Sequence, residues 1–307
     1  MKYIVTHTSP DMDAITSVWL LKKFLGGWDK AQVKFVPAGD RLLPLPKEQS
    51  FDFAIEKKGE DEYIHVDTGM GPLDHHQTKN DKVCGASLTF DFVKKGLVEV
   101  TPAINSEKLE ALERIVNYVV EVDHFKEIFR PEPLADYHDF SVVNILDGLK
   151  LEKPNQDILY VNFISDCLDA ILHDFENKIW AEREIKDLGI EFETKWGKGL
   201  GIESINDSVI KLAQIMGYVV VVRRDPRKGY VRIKARPDSV QSEKSKIKSK
   251  RGIDLTNVYE KLSKMDPNAT WFLHVSNKML LNGTPKNPKM KPTKLKLNDI
   301  IEVLKTV

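Results

Sequence analysis

The chain has 307 residues, with 46 Lys and Arg against 46 Asp and Glu, so no net field favours nucleic acid or a charged membrane surface. That length supports two domains with their own cores, and no apolar run approaches the roughly 18 residues of a membrane span. The two cysteines, Cys84 and Cys167, lack paired spacing, which argues against a disulfide framework or a cysteine zinc site. The opening residues read directly into a strand rather than a signal peptide, and the expectation is a cytoplasmic protein without a membrane partner. Charge is uneven along the chain, acidic over 109–187 and basic beyond Arg223.

In chain order, residues 3–7 are a β-branched and aromatic run that predicts a buried strand. Ser9-Pro10-Asp11 breaks it, and 13–24 has helical spacing. Ile15, Val18, Trp19, Leu21 and Leu25 make the apolar face of that helix, with Lys22 and Lys23 towards water. Residues 33–37, 51–55 and 63–66 read as further strands, then 85–95 as a helix stopped by Gly96. A stronger helix covers 106–121, with Leu109, Leu112, Ile115, Val116, Val119 and Val120 on one side. After a short apolar segment at 139–148 and a polar stretch holding Pro154, 158–188 reads as one long amphipathic helix. Strands alternating with helices predict an α/β first domain over 1–150, a mostly parallel sheet with helices on both faces. Residues 151–189 form a connector helix, and 190–307 a smaller α/β domain. Its strands are predicted at 190–195, 201–205, 218–223, 230–235, 270–275 and 278–281, its helices at 207–216, 255–265 and 297–306.

The chemistry concentrates in 64–77, where Asp67, Asp74, His75 and His76 fall within ten residues beside Gly69 and Gly71. Carboxylates and imidazoles offer oxygen and nitrogen donors, a set suiting Mn, Fe or Zn better than Ca. Taken alone, the segment also fits a polar turn with one capping and one solvated histidine. His7, Asp11 and Asp13 add candidate ligands at a strand-to-helix turn, the end of a strand at which open α/β sheets bind ligands. Asp123-His124 ends a third element. A parallel sheet would bring all of these to one edge.

His7-x3-Asp11-x-Asp13, Val66-Asp67-x-Gly69, Asp74-His75-His76 and helix-borne Asp123 resemble, in order, the four motifs of the DHH phosphoesterase superfamily. That group includes RecJ-type exonucleases, oligoribonucleases, cyclic-dinucleotide phosphodiesterases and family II pyrophosphatases. The resemblance implies two divalent ions, manganese foremost: His7 and Asp11 on one, Asp13, His75 and Asp123 on the other, Asp67 between them. It also implies His76 against a phosphate oxygen, with Asp74 orienting the histidine pair. Two such ions about 3.5–4 Å apart share a water, lower its pKa and stabilise charge on the phosphorus oxygens, so no covalent nucleophile is needed.

The C-terminal half lacks the Gly-Gly-Gly-His type motif common in that superfamily. Its tail, from Trp271 to Pro288, together with Asp74-His75-His76-Gln77, resembles the branch containing the melanocyte-proliferating-gene proteins, described as metal-dependent RNA exonucleases. On that resemblance His274, Lys278, Asn282 and Lys286 bind substrate phosphate or sugar. The competing reading is a hairpin with an Asn-Gly turn at Asn282-Gly283. Lys244, Lys246, Lys248, Lys250 and Arg251 suit a polyphosphate backbone, and equally a solvated loop. Arg223, Arg224, Arg227 and Lys228 add cations whose arrangement in space the sequence does not reveal. The expectation is a dinuclear-metal phosphodiesterase acting on RNA or short oligonucleotides in an exonuclease-like way, with self-association left open. The alternatives are a small-molecule phosphatase or cyclic-dinucleotide phosphodiesterase, and a non-catalytic metal-containing binding protein.

Overall fold

A computed structural model describes the chain apart from Gln49, residues 101–105 and 238–251, Pro285, and the side chains of 96–100. The basic stretch at 244–251 therefore lies outside the described residues. The protein divides into two compact units, Met1–Glu176 and Asn177–Val307.

The first unit contains β1 (Lys2–His7), α1 (Met12–Phe24), β2 (Gln32–Val36), β3 (Glu56–Lys58) and β4 (Asp61–His65). α2 (Gly85–Val100), α3 (Ser106–Asp123) and α4 (Val142–Glu152) follow, and α5 (Asp157–Leu188) passes from this unit into the next. The sheet order is β2-β1-β4-β3. β1 runs parallel to β2, with Tyr3 opposite Gln32, and parallel to β4, with Val5 opposite His65. The chain leaves β1 on one side and returns on the other, so the carboxyl ends of β1 and β4 flank a topological switch point. Ile4 and Val5, neighbours that point to opposite faces, are both fully buried, as strands of a covered parallel sheet are.

α1 departs from a simple amphipathic helix. Every residue from Met12 to Leu21 is buried, Asp13, Thr16 and Ser17 included, because α2 and α3 pack against it. Its start is fixed by Asp11, whose carboxylate accepts the Ala14 amide at 3.0 Å.

Residues 51–55, expected as a strand, instead begin with a 3-10 turn at Phe51–Phe53, closed by the Phe53 and Ala54 amides on Ser50 and Phe51 carbonyls. The strand lies just beyond, at Glu56–Lys58, antiparallel to β4. Its three charged residues carry no apolar signal; Glu56 is held instead by Arg41 at 2.5 Å and His65 at 2.8 Å. α2 runs through Gly96 to Val100 rather than stopping there; a mid-helix glycine costs only about 1 kcal/mol.

The second unit contains β5 (Ile190–Thr194), β6 (Gly197–Glu203), α6 (Ser208–Ile215), β7 (Val220–Arg224) and β8 (Val231–Ala235). α7 (Thr256–Met265), β9 (Trp271–Leu273), β10 (Met279–Asn282) and α8 (Leu297–Lys305) complete it. Its sheet, ordered β5-β6-β7-β8-β10-β9, pairs β6 and β7 in parallel and, among the described residues, its other neighbours antiparallel. Val222, Ile233 and Leu280 face Val258, Leu262, Ile300 and Leu304 of α7 and α8. Val221, Leu200 and Ile202 on the other face meet Ala181 and Ile185 of α5 and Val209 and Ala213 of α6. Gly201 is a glycine because α8 approaches so closely that a Cβ would stand 2.5 Å from Ile301 Cδ1.

The Asn-Gly turn of the competing reading is not the hairpin turn. β9 and β10 pair as Leu280 with Leu273 and Asn282 with Trp271, so the chain reverses at His274–Asn277, where the Asn277 amide donates to the His274 carbonyl at 2.8 Å. Asn277 takes the left-handed φ of 53° that this turn needs. Among the described residues, no helix is long and apolar enough to cross a membrane.

Candidate metal centre

The candidate ligands of the first unit converge on the carboxyl ends of β1 and β4. His7 is the last residue of β1, and its Nδ1 lies 2.9 Å from the Thr8 carbonyl oxygen. A carbonyl only accepts, so Nδ1 carries a proton, and in the neutral ring Nε2 keeps its lone pair for a ligand. That Nε2 is 3.3 Å from Asp67 Oδ2 and 3.9 Å from Asp11 Oδ2. Imidazoles that bind metals are commonly oriented in this way, through the far nitrogen.

His75 supplies the second focus. Its Nε2 lies 3.6 Å from Asp67 Oδ1, 3.6 Å from Asp123 Oδ2 and 3.7 Å from Asp13 Oδ2. Asp67 thus offers one oxygen to the His7–Asp11 side and the other to the His75–Asp13–Asp123 side. Its backbone is left-handed, φ 51°, uncommon for a residue other than glycine, and its amide is tied to the Leu73 carbonyl at 3.0 Å. Asp13 is anchored from α2: Gly85 N donates to Oδ2 at 2.6 Å and Ala86 N to Oδ1 at 2.5 Å. Gly85 itself permits this approach, since a Cβ there would sit 2.9 Å from Asp67 Cβ.

Asp74, almost fully buried, accepts the Met70 amide at 2.6 Å and pairs with His76 Nδ1 at 2.6 Å. Its hydrogen bonds reach only the second histidine of the pair, whereas both were expected. With Nδ1 engaged, the exposed His76 ring presents Nε2 to its surroundings. A cleft of about 460 Å³ opens beside these groups, lined by His7, Asp11, Asp67, Asp74, His76 and Asp123 together with Ala38, Gly39 and Met70.

The carboxylates of the site raise one another's proton affinity. Burial, then the charge of Asp67, pushes Asp13 well above the ordinary carboxylate range; burial, then Asp11, does the same to Asp67. Asp123 is raised and His75 lowered, burial being the leading cause for each. Asp67 Oδ1 and Asp123 Oδ2 are buried without a hydrogen-bond donor. Unsatisfied carboxylate oxygens beside a bare imidazole nitrogen cost free energy that a divalent cation would remove. Among the described residues, three groups can hold such an ion, each with donor atoms within 4.8 Å of one another: His7-Asp11-Asp67, Asp67-His75-His76 and His75-Asp123-His124. The mixed oxygen and nitrogen set suits Mn, Fe or Zn.

No protein-family model matches the chain, and no curated protein matches it. Solved structures do align. A crystal structure of an uncharacterized protein from Helicobacter pylori G27 covers 99% of each chain at 13% identity and a TM-score of 0.25. RecJ in complex with Mg2+ from Thermus thermophilus covers 99% of this chain and 49% of its own, at 12% identity and 0.29. The present chain thus spans about half the length of that RecJ. A putative family II inorganic pyrophosphatase of Methanococcus jannaschii covers 81% and 92%, at 16% identity and 0.20. The likeness is distant. With TM-scores this low it carries no argument about activity; the side chains do.

His124, named from sequence beside Asp123 but given no role, packs its ring 5.9 Å from that of His75, and its Nε2 lies 3.0 Å from the Val83 carbonyl oxygen. One contributor was not singled out from sequence: Gly85 gave only a helix start, because the close approach it allows is a tertiary fact.

The candidate substrate residues of the second unit do not share one arrangement. Asn282 is fully buried, its Nδ2 donating to the Thr270 and Lys291 carbonyls at 2.9 and 3.1 Å and its Oδ1 accepting Thr293 N at 2.7 Å. Those bonds stitch β10 to the segments beside it, and they replace the expected substrate contact with a structural one. His274 turns its Nδ1 to Ser276 Oγ at 2.8 Å within the β9–β10 turn, and Lys278 lies in the same turn. Lys286 is exposed, past the end of β10.

Proposed function

We propose that the chain is a dinuclear-metal phosphodiesterase that hydrolyses RNA or short oligonucleotides in an exonuclease-like way. The observation that carries this reading is the division of Asp67, one oxygen turned to each of two nitrogen-and-carboxylate sets. His7, Asp11 and Asp67 would hold one ion, and Asp67, Asp13, His75 and Asp123 the other. When bound, the ions supply Lewis acidity towards the phosphorus oxygens and lower the pKa of a water.

The chain's own groups position the rest. Asp74 holds His76 with Nδ1 engaged, so that Nε2, when protonated, donates to a phosphate oxygen in the cleft. Gly39 and Met70 shape the cleft wall on which a sugar or base rests.

A smaller substrate is the second reading, a cyclic dinucleotide or a small phosphate ester. It is favoured by the cleft lining, which among the described residues contains neither Lys nor Arg to track a polyanion. The test is Mn-dependent digestion of end-labelled single-stranded RNA of graded length, beside matched DNA and cyclic dinucleotides, with Asp67→Ala as control. A ladder of shortening RNA that disappears in the variant is expected. Cleavage confined to the shortest or cyclic substrates selects the second reading. A protein that binds Mn yet leaves every phosphodiester and phosphoanhydride intact is a non-catalytic binder.

A further inference from the structure

The fold resolves a question the sequence left open, how Arg223, Arg227 and Lys228 are arranged in space. β7 ends at Arg224 and β8 begins at Val231, and the loop between them is rigidly built. Asp225 N donates to the Tyr230 carbonyl at 2.8 Å, Gly229 N returns to the Asp225 carbonyl at 2.9 Å, and Asp225 Oδ1 accepts the Arg227 amide at 2.8 Å. Gly229 takes the left-handed φ of 66° that this reversal needs.

Beside the loop lies a small pocket of about 140 Å³, lined by Arg223, Arg227, Lys228, Arg232, Asp207 and Asp225, with Tyr230 on its wall. The Tyr230 ring is seated by Gly283, where a Cβ would come 2.2 Å from it. Asp207 binds two guanidinium groups at once, Arg223 at 2.7 Å and Arg232 at 3.0 Å, and so holds two like charges side by side. The Arg223 side chain is 7% exposed, donates to the Ser204 carbonyl at 2.8 Å, and keeps a buried Nε–H without a partner. Arg232 and Arg227 are near enough to push the Arg223 guanidinium down, after burial. Four cations thus line the pocket against two carboxylates, a local excess of two positive charges.

We propose that this pocket of the second unit binds a phosphomonoester dianion, gripped by Arg227, Lys228 and Arg232 over a buried Arg223. The charge excess matches the roughly −1.5 to −2 of such a group at neutral pH, and the volume admits one phosphate rather than a chain of them. Guanidinium groups fixed by Asp207 and Asp225 are pre-organised, so little side-chain freedom is lost on binding. Two sources share this chemistry, free inorganic phosphate and the phosphorylated end of an oligonucleotide. All of these residues belong to the second unit, and the proposal stands whether or not the first unit hydrolyses anything.

The experiment is calorimetric titration of the full-length chain, stripped of metal, with inorganic phosphate, then with a 5′-phosphorylated and a 5′-hydroxyl dinucleotide. Saturable phosphate binding is expected, weakened about tenfold by Arg227→Gln and again by Arg232→Gln, as the loss of a charged hydrogen bond implies. Lys234→Gln, a cation of the same sheet outside the pocket, leaves it unchanged. Binding of the 5′-phosphorylated dinucleotide weakens from pH 8 to 5.5 as its phosphate dianion takes up a proton near pH 6 and becomes a monoanion. Tighter binding of the 5′-phosphorylated dinucleotide than of free phosphate identifies the chain end as the source; equal binding identifies free phosphate. Arg227 is exposed at the rim, so its variant tests the site without threatening the core. Isotherms without saturation, or identical in both arginine variants and the parent, would overturn the proposal and leave the arginines as braces for Asp207 and Asp225.

Discussion

In the first unit Asp13, Asp67 and Asp123 crowd together, with Asp67 Oδ1 and Asp123 Oδ2 buried and lacking any donor. The second unit also buries polar groups, but there Asn282 spends its amide on three backbone partners. A polar group buried to hold a fold together is satisfied by the fold, because an unpaired one costs about 1–3 kcal/mol, and more when charged. Carboxylates kept unsatisfied against that cost point to a partner from outside the chain. The contrast separates Asn282 from Asp67 more sharply than residue type does.

The largest test of that contrast is Asp67→Asn. In the metal-free protein, Asp13 and Asp67 bind protons more tightly folded than unfolded. Their favourable contribution is therefore complete below the ordinary value of 3.8 and is lost as pH rises towards the raised folded values. The metal-free parent is expected to lose stability from pH 5 to 7.5, and added Mn to restore more of it at the higher pH. The variant, without one of the buried charges, should melt higher than the metal-free parent at pH 7.5. It should also bind Mn about a hundredfold more weakly or worse, a larger loss than an outer-shell change produces. Thermal melts and Mn titrations read both; a variant that melts lower without metal and binds Mn as the parent does would break the comparison.

Asn282→Ala probes the opposite case. Three buried hydrogen bonds disappear and leave backbone groups unpaired, a cost of about 2–4 kcal/mol read from urea midpoints. Mn affinity should not move. If stability is unchanged while substrate affinity drops, Asn282 belongs to a binding surface after all.

The smallest effect is expected from Asp74→Asn, which keeps an oxygen for the Met70 amide but no longer fixes the His76 tautomer by charge. Turnover should fall about 10–100-fold with Mn content unchanged. An equal loss of bound Mn would place Asp74 among the ligands themselves.

Local signals were sufficient wherever a residue's role follows from its neighbours in sequence. The 3.6-residue spacing of 106–121 became α3, the run at 158–188 became α5, and the strand-to-helix turn at His7–Asp13 became the β1–α1 junction with Asp11 as its cap. They failed at Phe51–Phe53, where aromatic content suggested a strand and a 3-10 turn formed. They failed again at Glu56–Lys58, where an ion-paired edge strand has no apolar pattern to detect.

The sequence by itself determined which side chains are offered for chemistry, because carboxylates and imidazoles at the ends of predicted strands are legible as residue types and spacings. Only the tertiary structure decided how they are used. The parallel pairing of β1 with β2 and β4 sets His7 beside Asp67, the α2 amides fix Asp13, and the β10 register buries Asn282. The β7–β8 loop likewise gathers Arg223, Arg227 and Lys228 with Arg232 around one pocket. Each of these depends on contacts between residues far apart in the chain, and pattern over a short window carries no information about them.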